Sequence, residues 1–119
     1  MTIYQEILLD HYKNPKNKGR LSKLTKSVTV HNPLCGDEII MDILFDQDEK
    51  VKSIAFSGKG CVISQATASQ LTELAKNQSK DQLRKLDRNY IINLLGIELG
   101  PNRLKCALLP LEALHKITK

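Results

Sequence analysis

Tryptophan is absent, and three Tyr and two Phe are the only aromatics in 119 residues. Proteins that grip single-stranded nucleic acid stack bases on aromatic rings, so this scarcity removes the usual platform. Acidic residues are outnumbered, 13 against 18 Lys and Arg, giving a formal net charge of +5. The lysines are scattered along the chain rather than gathered in one stripe. The excess therefore reads as a solvated basic surface, and no nucleic acid is expected as a partner. An acidic protein facing that rim stays open. Long apolar runs are missing as well; a bilayer span needs roughly 20 such residues, so no membrane partner is expected. The first ten residues, MTIYQEILLD, lack the basic-then-apolar layout of a signal peptide, which gives a cytoplasmic expectation. Cysteine is sparse: there are three, an odd number, and no C-x-x-C pair. A disulfide framework is not expected in a reducing compartment. If the three cysteines act together, the fold has to gather them.

What remains is an ordinary soluble composition, 41% hydrophobic and 26% charged. It predicts one domain over residues 1–119 with a modest single core. Thr2-x-x-Gln5 has capping-box form, and Ile3, Ile7, Leu8 and Tyr12 follow on one face at helical spacing. That helix should stop near Asn14-Pro15. From Val28 the period changes to two. Val28 and Val30 alternate with polar residues, NPLCGD interrupts, and Ile39 to Phe45 is an apolar run. Asp46-Gln47-Asp48-Glu49 reads as a hairpin turn, without the glycine and spaced ligands of a calcium loop. Val51, Ile54 and Phe56 rebuild a strand, completing an antiparallel meander.

After Phe56, SGKGC is a glycine-loosened exit, and VISQATASQLTELAK reads as a helix with many small side chains. Ser64, Thr67 and Ser69 have no visible base partner and fit packing better than nucleophilic chemistry. Ser79 and Gln82 form a second capping box. Leu83, Leu86, Tyr90 and Leu94 predict one further helix, ended by Gly96. Asn102 is the expected N-cap of a last helix carrying Leu104, Leu108, Leu111 and Leu114, with Pro110 kinking it or marking its true start. The expected fold is α+β: a three-stranded antiparallel sheet packed against helices on one side.

Each cysteine falls at a joint. Cys35 lies in the turn between the first two strands. Cys61 follows Gly58 and Gly60 at a helix entrance, and Cys106 lies close behind the Gly100-Pro101-Asn102 breaker. Helix starts favour a thiolate, and such joints cluster at one end of a sandwich. Three thiolates with the carboxylate of Asp37 would make a four-coordinate site suited to zinc or iron, the oxygen providing a labile corner. Cysteines also serve as small buried apolar residues. Their separations, 25 and 44 intervening residues, match no local ligand pattern, so spacing alone leaves both readings open. Arg103 and Lys105 would stabilise a Cys106 thiolate, or simply solvate the surface near a helix start. His31 could reach a metal but fits the end of a strand better. His11 and His115 fall in helices, at the surface or the core edge.

NPLCGDEI, SGKGCVISQATAS and RLKCALL, together with YQEILLDHYKNPKNKG, resemble the IscU/SufU/NifU-N family of iron–sulfur cluster assembly proteins over nearly the whole chain. The resemblance implies a scaffold that takes sulfur from a cysteine desulfurase. It would transiently hold a [2Fe–2S] cluster on Cys35, Cys61 and Cys106 and pass it to cluster-acceptor apoproteins. Asp37 matches the family's aspartate, linked to metal binding and cluster release, and the apo form of such a site commonly holds zinc. Cys35 and Cys106 are the candidate persulfide acceptors, with Arg103 and Lys105 assisting the thiolate.

The motifs are mixed. GCVISQA and Arg103 resemble the SufU type, a zinc-dependent sulfur acceptor that stimulates the desulfurase. The short segment between Cys61 and Cys106 is closer to the IscU type. The LPPVK motif that the IscU-type chaperone recognises is replaced by Leu99-Gly100-Pro101-Asn102-Arg103, which speaks against that partner. Lys105 stands where IscU proteins have a histidine, removing a candidate fourth ligand.

Overall fold

The computed structural model describes residues 2–33 and 36–119. Helix α1 (Ile3–Lys13) starts from the Thr2–Gln5 capping box and ends at Asn14, ahead of Pro15. Strands β1 (Lys26–Asn32), β2 (Asp37–Phe45) and β3 (Val51–Lys59) form an antiparallel sheet in the order β1-β2-β3. Helix α2 (Val62–Ala75) follows with Cys61 as its N-cap. The short α3 (Lys80–Arg84), then α4 (Arg88–Leu95) and the long α5 (Pro101–Ile117) complete the chain.

The register of the sheet decides which side chains meet the helices. Side chains along a strand alternate between its faces. On β2, Ile39, Met41 and Ile43 point to the helices and are fully buried. Directly opposite them stand Val30 and Val28 of β1, and Phe56 and Ile54 of β3. The same parity puts Asp37 and its β1 partner Asn32 on the helix face, at the last rung of the sheet. Helices α2 and α5 cover this face, and α1 packs on α2. Enclosed between sheet, α1 and α5, α2 is buried at every position from Ser64 to Thr72. Ala66, Ser69 and their neighbours are small because the surrounding elements come close on all sides. Fully burying a large aliphatic or aromatic side chain such as Phe56 or Leu71 is worth about 1.5–3 kcal/mol, which makes this layer the main source of stability.

The other sheet face is crossed by a strap. At the β3 edge, Asn17 O accepts from Phe56 N (2.9 Å), and Gly19 N donates to Phe56 O (2.7 Å). The chain then runs to Asp42 in the middle of the sheet. That carboxylate accepts from Arg20 Nε (2.7 Å), Leu21 N (3.1 Å) and Ser27 Oγ (2.6 Å). Thr25 N finally bonds Ile43 O (2.7 Å) and leads into β1. Burial opposes the charge on Asp42, but the bonds from Arg20, Ser27 and Leu21 outweigh it and hold its carboxyl below the ordinary range.

Five details depart from the sequence reading. The helix expected from Leu83 to Leu94 is two, α3 and α4, because Asp87 accepts from Tyr90 N (2.9 Å) and starts a new helix. The N-cap of α5 is Gly100, with Pro101 in the first position, so Asn102 already lies inside the helix. Pro110 does not start the helix; α5 runs through it, although proline brings no N–H for the carbonyl four residues back. On α1 only Leu8 is buried, while Ile3, Ile7 and Tyr12 stay exposed on a helix that rests mainly on α2. The glycine exit after Phe56 also belongs to β3, which continues to Lys59. Gly58 there has φ +120° and no room for a Cβ against the Glu38 carbonyl.

Candidate metal and sulfur centre

The site forms where β2 begins, α2 begins and α5 passes over both. Asp37 is the first residue of β2, on the helix face, and is 3% exposed. Its Oδ1 accepts from the amide of Cys61 at 3.2 Å, and the Cys61 thiol donates to Oδ2 at 3.5 Å. Cys61 is the N-cap of α2, and its sulfur also lies 3.9 Å from Ser64 Oγ. Gly60 permits the approach. A Cβ there would fall 2.5 Å from Ser64 Oγ and 2.9 Å from the Asp37 carboxyl carbon. Ser64 Oγ donates to the Cys61 carbonyl (3.2 Å) and steadies the turn.

Cys106 reaches the same place from α5 and is 4% exposed. It stands in the second turn of the helix rather than at its start. The ligand atoms of Asp37, Cys61 and Cys106 lie within 4.8 Å of one another, and among the described residues they form a group that could hold a metal ion. Cys35 lies outside the described residues. Two sulfurs and one carboxylate oxygen are the donor chemistry of zinc and of iron bound by sulfur.

The family model described as the NifU-like N terminal domain matches residues 3–119. The chain belongs to this family. Among curated relatives, it is 36% identical to the zinc-dependent sulfurtransferase SufU of Bacillus subtilis, over 97% of this chain and 88% of that protein. It is 31% identical to the iron–sulfur cluster assembly scaffold protein IscU of Streptococcus pyogenes, over 98% of this chain and 83% of that one. Among solved structures, a protein from Fervidobacterium islandicum, described as an iron–sulfur cluster assembly scaffold for the SUF system, superposes with a TM-score of 0.83. It is 32% identical over 98% of this chain and 97% of that one. The α+β arrangement read from the sequence is thus the arrangement of the NifU-like fold.

In this NifU-like domain the remaining sequence candidates separate. Arg103 lines a cavity of about 510 Å³ together with Cys61, Val62, Ile63, Asn102 and Cys106. Lys105 faces elsewhere, lining a groove of about 290 Å³ with His31, Asn32 and Leu108. Two cations expected at one thiol therefore border two different cavities. His31 Nδ1 lies 3.4 Å from Oε2 of Glu38, its partner across the β1–β2 pair. His11 Nδ1 is 2.7 Å from Ser69 Oγ, and His115 Nε2 is 2.7 Å from the Leu86 carbonyl. All three histidines have structural partners outside the site.

Sequence reasoning missed Asn32, whose Nδ2 donates to Cys106 Sγ at 3.7 Å, and Ser64, read only as a packing residue. The parity of the β1–β2 hairpin could have placed Asn32 beside Asp37. Nothing local in the sequence signals its contact with α5.

Proposed function

We propose that this protein is an iron–sulfur cluster assembly scaffold. It accepts sulfur from a cysteine desulfurase and carries a [2Fe–2S] cluster on Cys35, Cys61 and Cys106 with Asp37 as the oxygen ligand. The observation that carries the reading is the convergence of Asp37, Cys61 and Cys106 within 4.8 Å at one end of the sandwich. An assembly scaffold must bind its cargo and also let it go. A carboxylate corner serves release, because oxygen holds iron and zinc less firmly than a thiolate does. Domain-wide similarity to proteins named as scaffolds supports the same reading. The cluster is cargo, destined for acceptor apoproteins.

Sulfur would arrive as a persulfide on the desulfurase. A thiolate of this chain, with Cys35 and Cys106 the candidates, attacks the terminal sulfur; the new S–S bond forms as the old one breaks, and the desulfurase cysteine leaves as a thiolate. Arg103, which lines a cavity together with Cys61 and Cys106, would screen negative charge during that exchange. Lys105 would act from the neighbouring groove. The domain, residues 1–119, would act as one unit.

A second reading is favoured by Arg103 on that cavity and by the similarity to SufU: a zinc-dependent sulfur acceptor that stimulates the desulfurase. Zinc on the apo site would fix the cysteines and Asp37 and keep the thiols ionised.

Anaerobic incubation with ferrous iron, cysteine and a desulfurase separates the two. The scaffold reading expects a coloured protein containing labile sulfide, lost in Cys35→Ser and in Cys61→Ser. No cluster, with desulfurase stimulation that disappears on chelation, would replace it with the zinc-dependent acceptor. Equal stimulation by metal-free protein would refute the second reading.

A further inference from the structure

We infer that Asn32 is a positioning residue for the metal site, holding the Cys106 thiolate toward the bound ion through an N–H···S hydrogen bond. The inference rests on the proposed ligand set and extends it by one residue outside the ligands.

The last rung of the sheet pairs Asn32 with Asp37, and both side chains point to the helix face. They then part company: Asp37 goes to Cys61 at the start of α2, and Asn32 goes to Cys106 on α5. One strand pair thus addresses both helix-borne sulfurs. Asn32 is only 6% exposed, and burying an amide is unfavourable unless it is hydrogen-bonded. Its backbone is also committed, since its carbonyl accepts from Gly36 N at 2.9 Å and closes the turn.

The chemistry selects asparagine. A metal-bound thiolate has no proton and only accepts, so its partner must present a donor, which an amide nitrogen does. Aspartate would set a second carboxylate against the sulfur. Serine and threonine would be shorter. Groups that hydrogen-bond a metal ligand fix its orientation, and their loss typically weakens metal binding 10–100-fold. A hydrogen bond to sulfur also draws electron density from it, which is one of the ways proteins tune sulfur-bound metal centres.

The test uses the full chain loaded with Co²⁺, whose thiolate charge-transfer absorption reports on the sulfurs, and Zn²⁺ competed against a chromophoric chelator. Asn32→Leu keeps the volume and removes the donor. It is expected to bind Zn²⁺ about 10–100-fold more weakly and to shift the charge-transfer band to lower energy, because the freed sulfur is a stronger electron donor. Asn32→Gln retains an amide and should fall between the two in both measurements. Should Asn32→Leu fail to fold by circular dichroism, Asn32→Ala, which removes the donor and adds no apolar bulk, is read in its place. Unchanged affinity and spectrum in the donorless variant overturn the role of Asn32, as does a loss of affinity equal in Leu and Gln with no band shift. Absence of any cobalt–thiolate band in the wild-type protein would instead remove the ligand set itself, and the role of Asn32 with it.

Discussion

Replacing Asp42 by asparagine tests the strap across the back of the sheet. The side chain of Asp42 is fully buried, and both oxygens are engaged. Asparagine keeps one acceptor for Leu21 and turns its NH₂ group toward Ser27, whose hydroxyl can rotate to accept, so both contacts survive only as neutral hydrogen bonds. Hydrogen bonds to a charged group are worth about 1.5–3 kcal/mol against about 0.5–1.5 for neutral ones, so removing the charge from these two sets a destabilisation of about 2 kcal/mol near neutral pH. The half-exposed Arg20 is left out of that figure, because solvent screens it. For a chain of this size, about 2 kcal/mol corresponds to a fall in Tm of about 8 °C.

The effect has a definite pH course. The folded-state carboxyl lies below its ordinary value, while the unfolded chain titrates near 3.9. The stabilisation is therefore complete above about pH 5 and fades as pH falls through the folded value. Glu73, also held low by bonds from Lys76 and Asn17, titrates in both proteins and cancels in the comparison. Urea unfolding of the wild type and Asp42→Asn between pH 7 and pH 2 should give two curves that converge on acidification. A constant gap, or a gap under about 0.5 kcal/mol at pH 7, would refute the account of the strap. Zinc affinity should be the same in both proteins, since Asp42 lies on the sheet face away from the site.

Gly60→Ala should loosen zinc by about tenfold or more, because its Cβ would displace Ser64 Oγ or the Asp37 carboxylate; a chelator competition with wild-type affinity would show that Asp37 does not need that seat. Removing metal from the native protein should leave its helix content intact by circular dichroism, since the core between sheet, α2 and α5 includes neither Asp37 nor Cys61; unfolding on chelation would make the metal a structural one.

The strands and most helices could be read from the sequence because their signals are local. Thr2–Gln5 and Ser79–Gln82 are capping boxes written within four residues, and both occur. Period-two alternation placed Val28 and Val30, and the apolar run placed β2. The errors have an equally local origin. Leu83, Leu86, Tyr90 and Leu94 keep helical spacing across a break, so periodicity alone carried one helix through Asp87, whose capping role was there to be seen. The stripe on α1 was legible as amphipathic, but spacing cannot say whether an element exists to cover it. At the site, the resemblance to the family picked out Asp37, Cys61 and Cys106 before their distances were known. Asn32 escaped because its meaning lies in a contact 74 residues away. Arg103 and Lys105 are two residues apart in sequence, yet that step around α5 turns them to different cavities.

The Asn32–Asp37 rung has a consequence for how variation in this protein can be tolerated. Pairing in a sheet is quantised: a slip of one residue turns every side chain of a strand to the opposite face. A single insertion or deletion within β1, even far from any cysteine, would point Asn32 away from α5 while leaving the composition of the site unchanged. Val30 and Val28, locked among the buried side chains opposite Ile39 and Met41, resist such a slip. Those valines behave as the indexing teeth of a ratchet. They supply no ligand atom, yet they decide whether Asn32 can face Cys106.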